Sequence, residues 1–282
     1  MKIAALIRAY HQPDRLALLL DRLSGDLWVP FVHIDRKSDI RTFDGCRDKA
    51  VFLDDRVQIN WGGLSQVEGT MRLFRAALRD PTITHFYHMS GQCYPVKTDD
   101  QIRARIESLP AGSANFMELT AMPVSHKRLE RYTRRWLHDV QNPIAWRIYS
   151  RLFPRLPDKP LGKLRGIRLY GGGSWWMLER QAVEKIVNFL EENRWYWRLF
   201  RHTDCPDEML LHSLMGPLGI SIGADAPTAD IWIQGKAHPE PITEAMHRKL
   251  AEGPALFARK YIDFHPALGD GELSERSASK AA

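Results

Sequence analysis

Lys2-Ile3-Ala4-Ala5-Leu6-Ile7-Arg8-Ala9, followed by Tyr10-His11-Gln12-Pro13, decides the class of this fold. The run is apolar without a helical period and closes on a turn. A strand covered on both faces needs no alternation of polar and apolar residues, so the stretch reads as a buried first strand. Arg8 interrupts it too early for the apolar core of a signal peptide. Pro13 suits the first turn of a helix, and Leu16, Leu18, Leu19, Leu20 and Leu23 give that helix its buried side.

Outward from this unit the same alternation continues. Strands are expected at Trp28–Ile34, 51–53, 85–89 and 115–119, then at 175–178 and near Ile220. Helices are expected at Ser65–Leu78, where Val67, Met71, Phe74 and Leu78 share one side, at 98–106 behind a Thr98 cap, at 181–190, and from Thr243 onward. Residues 121–170, rich in arginine and aromatics, read as helical, partly irregular cover. Asp204-Cys205-Pro206-Asp207-Glu208, running into Met209-Leu210-Leu211, resembles a helix N-terminus that presents a carboxylate. Strands alternating with helices imply an α/β fold with a mainly parallel central sheet. In such sheets ligands sit beyond the carboxyl ends of the strands, where Tyr10, Asp35, Ser90–Tyr94 and Glu118 fall. One domain over 1–265 and a Gly/Ser/Ala-rich, disordered tail at 266–282 complete the expected organisation.

The chain has 282 residues and is 44% hydrophobic, enough for a sizeable core. No run of eighteen apolar residues occurs, which argues against a transmembrane helix. Cys46, Cys93 and Cys205 form no CxxC pair and point to a reducing cytoplasm without structural zinc. Net charge is +6, with basic residues concentrated in 126–136 and 147–168. That surface could meet anionic lipid, phosphorylated substrates or nucleic acid, or be no more than a solvated face. No helix-turn-helix or RNP-like motif supports nucleic acid as the partner.

GxGxxG, GxxxxGK[ST] and HExxH are all missing, so the standard phosphate cradles and zinc-protease site are absent. There is also no Asp-x-Asp pair with which to hold a divalent ion on a nucleotide diphosphate. What the chain does offer is Gly171-Gly172-Gly173-Ser174-Trp175-Trp176, a glycine turn opening onto paired indoles whose faces suit sugar rings, and the acidic cluster ending in Glu208.

His33-Ile34-Asp35-Arg36-Lys37-Ser38, Ser90-Gly91-Gln92-Cys93-Tyr94-Pro95, Gly173-Ser174-Trp175-Trp176, Pro206-Asp207-Glu208 and Leu256-Phe257-Ala258-Arg259-Lys260 occur in an order that resembles the core-2/I-branching glycosyltransferases. That family includes β-1,6-N-acetylglucosaminyltransferases and peptide O-xylosyltransferases, and the resemblance spans roughly 2–262. It implies a GT-A-like fold and an inverting, metal-independent transfer of a sugar, GlcNAc or alternatively xylose, from its UDP conjugate to a hydroxyl of a glycan acceptor. No metal and no further cofactor are expected.

Residue by residue, the resemblance makes Glu208 the general base that deprotonates the acceptor hydroxyl. The competing reading of Glu208 is a charge that merely favours a helix N-terminus. Asp35 matches the acidic residue used against uracil, and Trp61 an aromatic near the nucleotide, though a core tryptophan is the alternative for Trp61. Lys260 matches the lysine on the leaving diphosphate. Its second basic partner lies among Lys236, His238 and Arg259, with Lys236 preferred. Glu118, Arg128, Arg131 and Tyr132 fall where relatives bind the acceptor, and Trp175 and Trp176 offer stacking faces, one of them expected to point inward. Cys93 stands where many relatives carry aspartate and is expected to be a buried small residue. Lacking an anchor and a cysteine framework, the chain resembles a bacterial cytoplasmic member that visits the inner face of an anionic membrane. The alternative of another class is a non-catalytic carbohydrate-binding protein on the same fold.

Overall fold

The computed structural model describes residues 1–124, 127–233, 236 and 238–266. Its strands are β1 (Ile3–Ala9), β2 (Trp28–Ile34), β3 (Val51–Phe52), β4 (His85–Ser90), β5 (Tyr94–Pro95), β6 (Thr120–Ala121), β7 (Tyr170–Gly171), β8 (Met177–Glu179), β9 (Thr228–Asp230) and β10 (Phe257–Arg259). The helices are α1 (Pro13–Arg22), α2 (Ser65–Leu78), α3 (Asp99–Glu107), α4 (Glu130–Thr133), α5 (Pro143–Leu152), α6 (Arg180–Glu192), α7 (Arg194–Leu199) and α8 (Glu244–Glu252).

The central sheet has the order β3-β2-β1-β4-β8. Its first four strands run parallel and β8 joins antiparallel. β1 lies in the middle, and its residues alternate between two cores. Ile3, Ala5 and Ile7 enter the core that includes Leu16, Leu19 and Leu20 of α1, whereas Ala4 and Leu6 enter the one built with α2 and α6. Burial on both faces is why β1 reads as one apolar run, each large aliphatic contributing roughly 1.5–3 kcal/mol. The fold is therefore α/β, with a mainly parallel sheet between helical layers.

Local chemistry sets the helix ends. Thr98 and Gln101 form a capping box at the start of α3. α2 is capped from a distance: Asp139 accepts from the Ser65 backbone N–H at 3.1 Å and from its hydroxyl at 2.6 Å.

Three expected elements differ. Residues 115–119 form no strand; Phe116 makes only isolated bridges to Met177 and Ala224. No strand forms near Ile220, and β9 takes that role at Thr228–Asp230. The 204–214 segment is not an α-helix but two short 3₁₀ turns, Pro206–Glu208 and His212–Leu214. Cys205 precedes the first in the left-handed region at φ 45°, and Met209 leaves helical geometry at φ −138°, which ends the turn after Glu208. Of the expected tail, 266–282, all but Pro266 lies outside the described residues.

A second sheet, β5-β10-β9, lies beyond the end of β4. The Tyr261 N–H donates to the Gln92 carbonyl at 3.0 Å, and the Gln92 side-chain amide donates to Gln12 at 2.9 Å. These bonds lace the chain after β10 to the ends of β4 and β1. Arg259 and Lys260 are thereby fixed beyond the carboxyl ends of β1 and β4.

Candidate active site

Arg8 is the one charged side chain of β1, placed in register with His33 and Ser90. Its guanidinium donates to the Gln66 carbonyl at 3.0 Å, lies 3.9 Å from Asp207 and sits 5.9 Å from the Trp175 ring centroid. Asp207 accepts from the Ser174 hydroxyl at 2.6 Å and the Gln66 amide at 3.0 Å. Burial pushes the Asp207 carboxyl up against the pull of Arg8, and Glu208 next door adds to the rise. Asp207 is thus a structural node that ties β1, α2 and the tryptophan turn to the segment carrying Glu208.

Glu208 is part-exposed. Its Oε2 accepts from Lys127 Nζ at 3.2 Å and from Arg131 at 3.0 Å. Arg131 also reaches Asp204 at 3.4 Å, and His138 bonds the other Asp204 oxygen at 2.9 Å. Burial works against the Asp204 charge, but the His138 bond and Arg131 outweigh it and hold that carboxyl below its ordinary value.

The glycine turn is what allows this packing. A Cβ on Gly171 would come within 2.6 Å of the Lys127 stem, and one on Gly172 would collide with the Glu118 carbonyl and meet the His212 ring at 2.7 Å. The Gly172 N–H donates to the Glu208 carbonyl at 3.1 Å, and its own carbonyl accepts from Lys127 at 3.1 Å. Only a chain without side chains passes so close to the carboxylate segment. His212 is buried beneath, bonded to the Gly173 carbonyl at 3.1 Å. Burial, helped by Lys127, lowers its pKa to about 4, so it is neutral near pH 7.

The two tryptophans divide. Trp176 is a fully buried core residue packed on Phe74. The expectation that it contacts substrate is corrected by that burial. Trp175 is half-buried, and Arg259 lies over its ring at 4.6 Å from the centroid. His88 stacks under both rings, at 5.5 Å and 4.9 Å. Arg259 and Lys260 form no ion pair among the described residues, and the buried Nε of Arg259 has no hydrogen-bond partner. Burial and the Arg259 charge lower the Lys260 pKa, and Lys260 in turn acts on His11 just beyond β1. Trp175 therefore faces guanidinium groups that have no full complement of anions.

The remaining expectations sort by burial. Asp35 directly follows β2, 7% exposed, and its carboxylate accepts from the Lys37 N–H at 2.9 Å with the Lys37 ammonium at 3.6 Å. Trp61 is 72% exposed, edge-on to His138, which rejects a core role. Glu118 lies beside Gly173. Arg128 is exposed. Tyr132 does not face an acceptor. It is fully buried against Phe200 with Lys159 over its ring, and burial raises its phenol to about 12. Lys236 is exposed and ion-pairs with Glu240 at 2.6 Å, whereas Arg259 has no ion pair among the described residues. His238 is exposed. Cys93 is buried, its thiol near the Ser90 hydroxyl at 3.3 Å. All three cysteines are free.

Sequence reasoning missed Lys127, Arg8 and Asp207. A signal for Arg8 existed: it is a lone charge in an apolar strand, and such a charge needs a buried partner. Lys127 lay in a basic stretch whose pattern does not separate buried from solvated cations.

The family model for the Core-2/I-branching enzymes matches residues 13–242, a span that contains Asp35, the Ser90 motif, the tryptophan turn and Glu208. The chain belongs to the Core-2/I-branching enzyme family. It is a glycosyltransferase of that family. A comparison with curated proteins returns no match. Among solved structures it is similar to mouse xyloside xylosyltransferase 1 in its apo form, at 11% identity and TM-score 0.42, over 91% of this chain and 96% of that one. It is similar also to the galactosyltransferase LgtC in complex with donor and acceptor sugar analogues, at 11% identity and TM-score 0.43, over 99% and 96%. A third is 4-diphosphocytidyl-2C-methyl-D-erythritol synthase, at 9% identity and TM-score 0.39, over 89% and 97%. These distant likenesses carry no argument about the site of this Core-2/I-branching family member.

Proposed function

We propose that the protein is an inverting glycosyltransferase that moves a sugar from a UDP conjugate to a hydroxyl of a glycan acceptor without a metal ion. The observation that carries the reading is a continuous cluster with opposite chemistry at its two ends. A carboxylate, Glu208, stands at one end, and Arg259 and Lys260, without counter-ions among the described residues, stand at the other. The cations are suited to the negative charge that grows on a departing diphosphate. Both cation contacts of Glu208 fall on Oε2, so Oε1 is assigned to the acceptor.

In this mechanism the acceptor hydroxyl gives its proton to Glu208 as its oxygen attacks the anomeric carbon. The bond from that carbon to the diphosphate breaks on the opposite face, UDP leaves with the electron pair, and the anomeric configuration inverts. Lys260 and Arg259 hold the leaving group, Trp175 forms a wall of the sugar site, and Asp35 and Trp61 lie toward the nucleotide. Glu118 and Arg131 position the acceptor, with Lys127 added to their set and Arg128 on the exposed rim.

GlcNAc is the preferred sugar, as in the β-1,6-N-acetylglucosaminyltransferases, and xylose the alternative. The acceptor is a sugar of a growing polysaccharide, lipid-linked at the inner face of a membrane, with the enzyme in the cytoplasm. No helix among the described residues is long and apolar enough to cross a membrane. The deciding experiment is UDP release from a panel of UDP-sugars, with and without EDTA, by wild type and Glu208→Gln. Release that resists EDTA and is lost in the variant supports the reading. A requirement for Mn²⁺ overturns the metal-free part, and donor binding without release in every case assigns the fold to a carbohydrate-binding protein.

A further inference from the structure

None of the residues of α5 is buried, as in α8, but α5 carries its large apolar residues exposed. Ile144, Ile148 and Leu152, four apart and so on one stripe, are 72%, 55% and 44% exposed, and Trp146 is 51% exposed. Its attachment to the body runs through Tyr149, whose ring stacks on Phe153 at 5.0 Å and meets His202 edge-on. Leu156 and Leu161 continue the exposed apolar surface beyond the helix. Arg147 and Arg151 form the stripe next to the isoleucines, and Arg155, Lys163 and Arg165 are exposed beyond them. Asp158 is the one acid between 143 and 168.

Isoleucines in water contribute nothing to the stability of the helix that bears them, and their neighbours here all carry one sign of charge. An apolar stripe bordered by arginines has the chemistry of the boundary between lipid headgroups and acyl chains. The arginines match anionic phosphates, and the isoleucines match the hydrocarbon just beneath them. A second copy of this surface would bring like charges together.

We propose that α5 is a membrane-docking helix, inserting Ile144, Ile148 and Leu152 into the surface of an anionic phospholipid bilayer while Arg147 and Arg151 engage headgroup phosphates. The inference gives the peripheral contact of the proposed function its residues, yet it rests on surface chemistry and not on the transfer reaction.

The test is flotation of the full chain with phosphatidylcholine vesicles made with and without phosphatidylglycerol. Wild type floats with the anionic vesicles and not with the neutral ones. Arg147→Glu/Arg151→Glu and, separately, Ile144→Asp/Ile148→Asp weaken that binding on the order of tenfold or more. Both pairs are exposed, so melting temperature and UDP release with a soluble acceptor stay at the wild-type level. Loss of vesicle binding alone thus remains separable from failure of the enzymatic reading. The proposal is overturned if wild type ignores phosphatidylglycerol or if the isoleucine variant binds as wild type does. It is also overturned if light scattering shows a dimer that the isoleucine variant dissociates while no vesicle binding occurs.

Discussion

The two ends of the site differ in how their charge is balanced. At the Glu208 end, one carboxylate is met by Lys127 and Arg131, and Arg131 also serves Asp204. At the Trp175 end, Arg8 has a buried carboxylate within 3.9 Å, while Arg259 and Lys260 have none among the described residues. A charge-balanced end is complete before anything binds. An end with surplus positive charge, partly desolvated, gains when an anion arrives. Under the proposed function the diphosphate belongs at the cationic end and the acceptor at the other.

The largest effect that could break the contrast is at the base. Glu208→Gln is expected to reduce kcat by about 10²–10⁴-fold, with donor affinity unchanged, measured as UDP release and UDP-sugar binding. A variant with undiminished turnover removes the carboxylate end altogether. At the other end Arg259→Ala is expected to cost roughly 10²–10³-fold in rate and to weaken UDP binding. Arg259→Lys should restore only part of both, because an ammonium lacks the flat donor fork of a guanidinium. Full activity in the alanine variant would leave the surplus charge without a purpose.

Between the ends lies the glycine turn. Gly172→Ala must displace the Glu118 carbonyl or the His212 ring, and a loss of about 1–3 kcal/mol in unfolding free energy is expected. Denaturant titration measures it, and an unchanged midpoint would show the two ends to be less tightly joined than the packing implies.

Acid should act on both ends at once. His212 lies beneath one and His88 beneath the other, each held below the ordinary value of 6.5, His212 at about 4. The unfolded chain therefore binds these protons first. Their contribution to stability is whole above about pH 6.5 and is lost as pH falls toward 4. Melting temperature across that window should drop, and less steeply in His212→Gln. The smallest effect is expected at Lys236→Ala, which breaks an exposed pair with Glu240 and should alter stability by less than about 1 kcal/mol. A strong loss of UDP binding there would return Lys236 to the cationic end.

What the chain made legible follows from where local pattern and burial coincide. β1 and α2 could be read because their apolar residues answer to two cores and one core, respectively. Pro206 and the acids around it suggested a helix start, but Cys205 enters with a positive φ and the turn ends within three residues. Tyr132 and Arg131 are neighbours in sequence, yet one is sealed against Phe200 and the other reaches Glu208, a difference of side that a short helix does not announce. The paired tryptophans were more readable, since alternation on a strand sends one of two successive residues inward. Asp207 stayed hidden because its partners, Arg8, Gln66 and Ser174, come from three distant parts of the chain.

That meeting at Asp207 bears on how the enzyme can evolve. Glu208 follows immediately on a residue clamped to the central strand, the first turn of α2 and the tryptophan turn. The surrounding loops can diverge in length and composition while this knot keeps the Glu208 carboxylate, the base of the proposed function, on station. Changes of substrate should therefore be cheap, and relocation of the chemistry nearly impossible.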